Sequence, residues 1–186
     1  MKSALSEIIK YGVISDKKLF VFLEHNYAKV LRREAQALSH VVTSSARIKA
    51  RVVEKDEFDR KGLRAILNYG HTVGHAVEAA SSYSGRYDHG EAVAVGMVVA
   101  AKLAEKLNIL SARDALRIES LIAKCGLPTK IRGLKLSVIR KALAHDKKFV
   151  NGKTRMILPT GIGRVRIVDN IPERIIKEEI KKSIKG

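Results

Sequence analysis

The sequence predicts a mainly α, multi-helix fold with one small β-hairpin near residues 154–168. Three observations predict it. Apolar residues recur at helical spacing through most of the first 144 positions. Helix breakers are scarce, with Pro128, Pro159 and Pro172 the only prolines. The period shortens once, where two short β-branched runs flank Pro159-Thr-Gly-Ile-Gly163. The 186 residues suit one domain spanning 1–186. With 5% aromatics and no Trp, Ala, Leu, Ile and Val must fill the core, which favours closely packed helices.

Residues 1–11 read as a helix, with Gly12 as its stop. Asp16 caps a short second helix to about Leu23. A long helix follows from about Tyr27 to Glu54, carrying Ala28, Val30, Leu31, Ala35, Leu38, Val41 and Val42. Asp56–Gly62 is a charged loop. Helical spacing resumes from Leu63 to about Ala80, and Ser81–Asp88 is a loop rich in Ser, Tyr and Gly. An apolar helix covers about Gly90–Leu107. Ser111 caps the next, which ends at Gly126 with Pro128 beyond. Another covers about Leu136–Ala144. Thr154–Leu158 and Arg164–Val168 form the hairpin, and Pro172 opens a last amphipathic helix to about Ile184. No internal repeat or low-complexity linker interrupts this order.

Lys and Arg total 36 against 19 acidic residues, a formal net charge of +17. Nucleic-acid binding, an anionic small substrate and a solvated, thermophile-like surface all fit such an excess. The basic residues are scattered, without a zinc finger, an Arg-rich arm or basic–aromatic interleaving, which argues against nucleic acid. The other two readings are mutually compatible. The single Cys125 rules out an internal disulfide and, in its apolar setting, reads as buried and inert. No apolar run approaches the roughly 18 residues of a membrane helix, and no signal-peptide pattern follows Met1. A cytoplasmic location without membrane contact is the expectation.

Arg64, Asn68, His71 and His75 carry the chemistry. In a continuous helix their spacing places them in a stripe roughly 60° wide on one face. The rest of that stretch is mostly apolar. Solvent-facing stripes usually hold Lys and Glu, whereas this one holds a guanidinium, an amide and two imidazoles. Gly70 and Gly74 weaken a helix by roughly 1 kcal/mol each, so a neighbour or ligand should approach closely. Histidines at i and i+4 can face one metal. Thr72 stands where a zincin helix has its general-base Glu, so the protease reading fails. Two satisfied core histidines remain the competing reading.

A third histidine, His89, opens the apolar helix. The helix dipole disfavours its protonated form, and neutral imidazole is the form that binds metal. Catalytic zinc takes three protein ligands and keeps an open position. Glu7, Glu78, Asp88 and Glu91 are the candidate carboxylates, and spacing does not choose among them. Glu7 and Lys10, three apart, read by default as an ordinary surface ion pair worth well under about 1 kcal/mol. Lys147 and Lys148 either grip a phosphate or are simply solvated.

Taken together these segments resemble the 3-dehydroquinate synthase family, in order along nearly the whole chain. Ser6-Glu-Ile-Ile-Lys-Tyr-Gly12 is similar to the family's A-E-x-I-K-Y-G. Lys49-Ala-Arg-Val-Val53 with Asp56-Glu57 resembles K-A-x-V-V and D-E. Gly62–His75 resembles G-x-R-x-x-L-N-x-G-H-T-x-G-H. His89-Gly-Glu-Ala-Val-Ala94 with Gly96-Met97 resembles H-G-E-A-V-A-x-G-M, and Asp146-Lys-Lys148 with Leu158-Pro159 and Ile162-Gly163 resembles the tail.

The resemblance implies zinc, or cobalt, held by Glu7, His71 and His89. It implies substrate contacts from Lys10, Lys49, Arg64, Asn68, His75 and a lysine of the pair Lys147 and Lys148. His75, Lys10, Arg64 and Asn68 would be catalytic. The family cyclises 3-deoxy-D-arabino-heptulosonate 7-phosphate to 3-dehydroquinate with loss of phosphate in the shikimate pathway, using bound NAD to oxidise the C5 hydroxyl transiently. The family's amino-terminal NAD-binding α/β half has no counterpart in these residues, which hold neither G-x-G-x-x-G nor strand–helix alternation. The expectation is therefore a carboxy-terminal catalytic domain, split, excised or truncated. It would act in a homodimer or with a separate amino-terminal half. Another sugar phosphate cyclase and an inactive zinc-binding helical module are the alternatives.

Overall fold

A computed structural model describes residues 2–56, 62–81, 87–144 and 154–185. The helices are α1 (Lys2–Ile14), α2 (Lys17–Leu31), α3 (Ala35–Lys55), α4 (His71–Ser81), α5 (His89–Lys106), α6 (Ala112–Lys124), α7 (Leu136–Ala144) and α8 (Glu173–Ser183). A 3-10 turn, Leu63–Asn68, precedes α4, and the strands are β1 (Arg155–Gly161) and β2 (Arg164–Asp169). The fold is thus mainly α with one antiparallel hairpin, as the period change predicts.

α5 is the central element. Every residue from Ala92 to Ala101 is buried, the condition of a helix that is apolar all round. Helices α1, α4, α6 and α8 and strand β1 pack around it. Gly163 N–H donates to the Val13 carbonyl at 3.0 Å, which ties the hairpin turn to α1. Among the described residues, no helix is long and apolar enough to cross a membrane.

Helix starts follow local chemistry. Asp16 accepts from Leu19 N–H, Ser111 from Asp114 N–H, and Asp88 with Glu91 closes a capping box on α5. Several ends do not. Gly12 does not stop α1, which continues to Ile14. The missing side chain instead lets the backbone of Phe20 approach, since a Cβ at Gly12 would lie 3.1 Å from Phe20 Cα. The capped second helix runs past Leu23 to Leu31, and the predicted helix from Tyr27 to Glu54 is two helices, α2 and α3. Arg33 adopts a left-handed φ of 62° between them. Its N–H donates to the Val30 carbonyl and that of Glu34 to the Lys29 carbonyl, a Schellman end. Asn108 and Gly126 end α5 and α6 in the same way, with φ of 55° and 72°.

The predicted helix from Leu63 to Ala80 is also interrupted. Tyr69 is extended (ψ 128°), Gly70 is left-handed (φ 79°), and α4 begins only at His71. Close packing explains the break. A Cβ at Gly96 of α5 would fall on the Gly70 carbonyl, and one at Gly70 would meet the Val93 carbonyl and the Met97 amide at 2.9 Å. Gly74 is also near, its Cβ position 3.1 Å from Val93 Cα. The glycines beside the histidines therefore serve the approach of a neighbouring backbone. Tyr69, fully buried, donates its hydroxyl to the Met97 carbonyl at 3.0 Å.

Candidate metal centre

Three elements bring the site together. α1 supplies Glu7 and Lys10, the first residue of α4 is His71, and the first residue of α5 is His89. α1 docks on the start of α5 through Gly90, whose N–H donates to Ser3 Oγ at 3.0 Å and whose missing Cβ makes room for Ser3. One donor atom from each of Glu7, His71 and His89 lies within 4.8 Å of the others. The imidazoles of His71 and His75 meet edge-on at 5.3 Å, and those of His71 and His89 at 5.5 Å.

The polar partners fix which atoms face inward. His71 Nδ1 lies 3.0 Å from the Tyr69 carbonyl, which can only accept, so Nδ1 carries the proton. Burial lowers the His71 pKa to about 4, so the ring is neutral and Nε2 presents a lone pair. Nε2 points at Glu7 Oε1, 3.7 Å away. Glu7 Oε2 accepts from Lys10 Nζ at 2.6 Å, whereas the buried Oε1 has no hydrogen-bond partner among the described residues. Two acceptors thus face each other with no donor between them. A buried acceptor without a partner is costly, and a divalent cation bonded to both removes that cost. Two imidazoles and one carboxylate also suit zinc or cobalt as a donor set. The residues present therefore fit such an ion.

The Glu7–Lys10 pair departs from the surface pair expected by default. Lys10 is 3% exposed, held against α1 with its ammonium 5.2 Å from the Tyr11 ring centre. Arg64 and Asn68 do not share a helical stripe with the histidines, because the chain turns at Tyr69–Gly70. They line a cleft of about 470 Å³ with Gly62, Ala65, Leu67 and Arg155. Local spacing had no means of showing Arg155 there, since the hairpin brings it from more than 80 residues away. His75 is exposed at the rim of the histidine cluster. Lys49 is exposed on α3, which packs against the turn carrying Arg64. Lys147 and Lys148 lie outside the described residues. Glu78, one of the carboxylates that spacing left open, is 3.1 Å from His89 Nδ1.

The same architecture occurs in solved enzymes. ValA, the 2-epi-5-epi-valiolone synthase of Streptomyces hygroscopicus subsp. jinggangensis with NAD+ and Zn2+ bound, superposes with a TM-score of 0.85 at 26% identity, over 97% of this chain and 50% of that one. A 2-deoxy-scyllo-inosose synthase complexed with carbaglucose-6-phosphate, NAD+ and Co2+ gives 0.75 at 26% identity, over 98% and 52%. The fold is that found in about half of each of these sugar phosphate cyclases. The family model for the 3-dehydroquinate synthase C-terminal domain matches residues 4–149. The 3-dehydroquinate synthase of Desulforamulus reducens is 50% identical over 174 residues, 93% of this chain and 48% of the relative. That of Synechococcus is 45% identical over 183 residues, 97% and 49%. The chain belongs to the 3-dehydroquinate synthase family and corresponds to its carboxy-terminal domain. It spans about half the length of the curated relatives it matches.

Proposed function

We propose that this chain is the metal-holding catalytic half of a 3-dehydroquinate synthase, converting 3-deoxy-D-arabino-heptulosonate 7-phosphate to 3-dehydroquinate with loss of phosphate. The observation that carries the reading is the facing pair of acceptors, His71 Nε2 and Glu7 Oε1, with His89 completing the donor set. Relatives 43–50% identical are named 3-dehydroquinate synthase, against 26% identity to the valiolone and inosose synthases, which favours this substrate over other sugar phosphates.

Glu7, His71 and His89 would hold zinc or cobalt. Such an ion supplies Lewis acidity to substrate hydroxyls, and NAD, contacted mainly by the amino-terminal half of the complete enzyme, supplies reversible oxidation at C5. This chain's own residues bind and orient. Lys10 and Arg64 hold the carboxylate and phosphate by charge-assisted hydrogen bonds. Asn68 orients a hydroxyl through its amide, and Lys49 with Lys147 or Lys148 adds positive charge. His75, exposed beside the other two rings, moves the proton at the C5 hydroxyl. The basic excess draws the anionic substrate in. The working assembly is a homodimer or a complex with the amino-terminal half.

Phosphate release tests the reading, measured with NAD and zinc for the chain mixed with an amino-terminal half from a relative. Release from the heptulosonate phosphate, but not from glucose 6-phosphate, supports it. Release from glucose 6-phosphate alone makes the chain another cyclase, and no release from either makes it a binding module.

A further inference from the structure

We infer that Glu78 is a positioning residue for the metal centre, orienting His89 and raising its basicity toward a divalent ion. The inference rests on the reading of Glu7, His71 and His89 as ligands. His89 and His71 each open a helix, yet their rings are held differently. His71 is 12% exposed at the side chain and its Nδ1 is satisfied by a backbone carbonyl in the preceding turn, so packing and that hydrogen bond hold its rotamer. His89 is 45% exposed at the side chain. Its Nδ1 lies 3.1 Å from Glu78 Oε2 on the neighbouring helix α4. An ionised carboxylate only accepts, so this contact puts the proton on Nδ1 and leaves the Nε2 lone pair for an ion.

Glu78 follows His71 by seven residues and His75 by three, which puts all three on one face of α4. That helix therefore supplies a ligand from its first turn and the partner of the second ligand from its third. The capping box of Asp88 and Glu91 fixes the backbone at His89, and Glu78 fixes the ring. Carboxylate–histidine–metal relays of this kind are worth roughly 10–100-fold in metal affinity. Donor atoms of His75, Glu78 and His89 also lie within 4.8 Å of one another, so the same carboxylate has a rival role as ligand of a second ion.

Cobalt(II) and zinc titrations of the 186-residue chain, in competition with a chelator, decide between these roles. The wild type should bind one ion per chain. Glu78→Ala should weaken binding 10–100-fold and alter the visible cobalt spectrum, with helical circular dichroism unchanged. Glu78→Gln, whose amide oxygen still accepts from Nδ1–H, should fall between the two, and it serves if Glu78→Ala fails to fold. Unchanged affinity and spectrum in both variants overturns the inference while leaving the metal centre standing. Two ions per chain, the second lost in Glu78→Ala and His75→Ala, overturns it in favour of the rival role. A wild type that binds no ion overturns the centre and the inference together.

Discussion

His71 Nε2 and Glu7 Oε1 stand 3.7 Å apart, both acceptors, with no proton donor between them among the described residues. Sixty-four residues of sequence separate them, and the docking of α1 on α5 beside the start of α4 brings them together. Most of what the molecule should do under perturbation follows from this pair.

The first consequence concerns acid. In the metal-free protein, burial holds His71 neutral down to about pH 4, against an ordinary value of 6.5. Between those values the unfolded chain binds a proton that the folded chain refuses. The stability tied to His71 is thus fully present above about pH 6.5 and is lost as pH falls toward 4. The loss should reach about 3 kcal/mol at full titration. Urea midpoints across this range, compared with His71→Asn, should show a steeper acid decline in the wild type.

Lys10 is the other neighbour of Glu7. Lys10→Met keeps most of the buried volume but strips Glu7 Oε2 of its donor. The metal-free variant should lose about 1–3 kcal/mol. Zinc should recover part of that loss, so thermal melts with and without zinc should differ more in the variant than in the wild type.

Gly96→Ala should be among the most damaging single-methyl changes in the chain. The added Cβ would fall on the Gly70 carbonyl, a backbone group that cannot swing aside, so α4 and α5 must separate. Overpacking of this kind costs about 1–3 kcal/mol or more. It also moves His71 relative to His89, so a lower Tm should accompany weaker zinc binding even though no ligand is altered.

Cys125 should be inert. Burial pushes its thiol up to about 11, and its side chain is fully enclosed. A disulfide-exchange reagent at pH 8 should label the native protein slowly and the urea-unfolded protein within seconds to minutes. Rapid native labelling would place Cys125 in a mobile region instead.

The contrast between legible and illegible features is physical. The hairpin, α6, α7 and the caps at Asp16 and Ser111 rest on local chemistry, and each was readable from a few adjacent residues. The break at Arg33 was not, because an arginine in the left-handed C′ position carries none of glycine's warning. The break at Tyr69–Gly70 was signalled by the glycine but overridden by the helical spacing of Arg64, Asn68, His71 and His75. That spacing found the right residues through the wrong geometry, since a turn and a helix start, not one stripe, present them. Glu7 was the least legible of all. Four carboxylates were open to spacing, and only the family resemblance singled out Glu7. The structure then buries one of its oxygens opposite His71 and gives the competitor Glu78 a place behind His89.

The most direct test of the account is zinc stoichiometry by calorimetry on the metal-free chain. One ion per chain should bind, and at 100 times Kd it should stabilise the fold by about 2.7 kcal/mol, a Tm rise of roughly 5–10 °C. Glu7→Gln, His71→Ala and His89→Ala should each abolish that rise. A wild type that takes up no zinc or cobalt, or one whose binding survives all three substitutions, would contradict the assignment of Glu7, His71 and His89 as a metal centre.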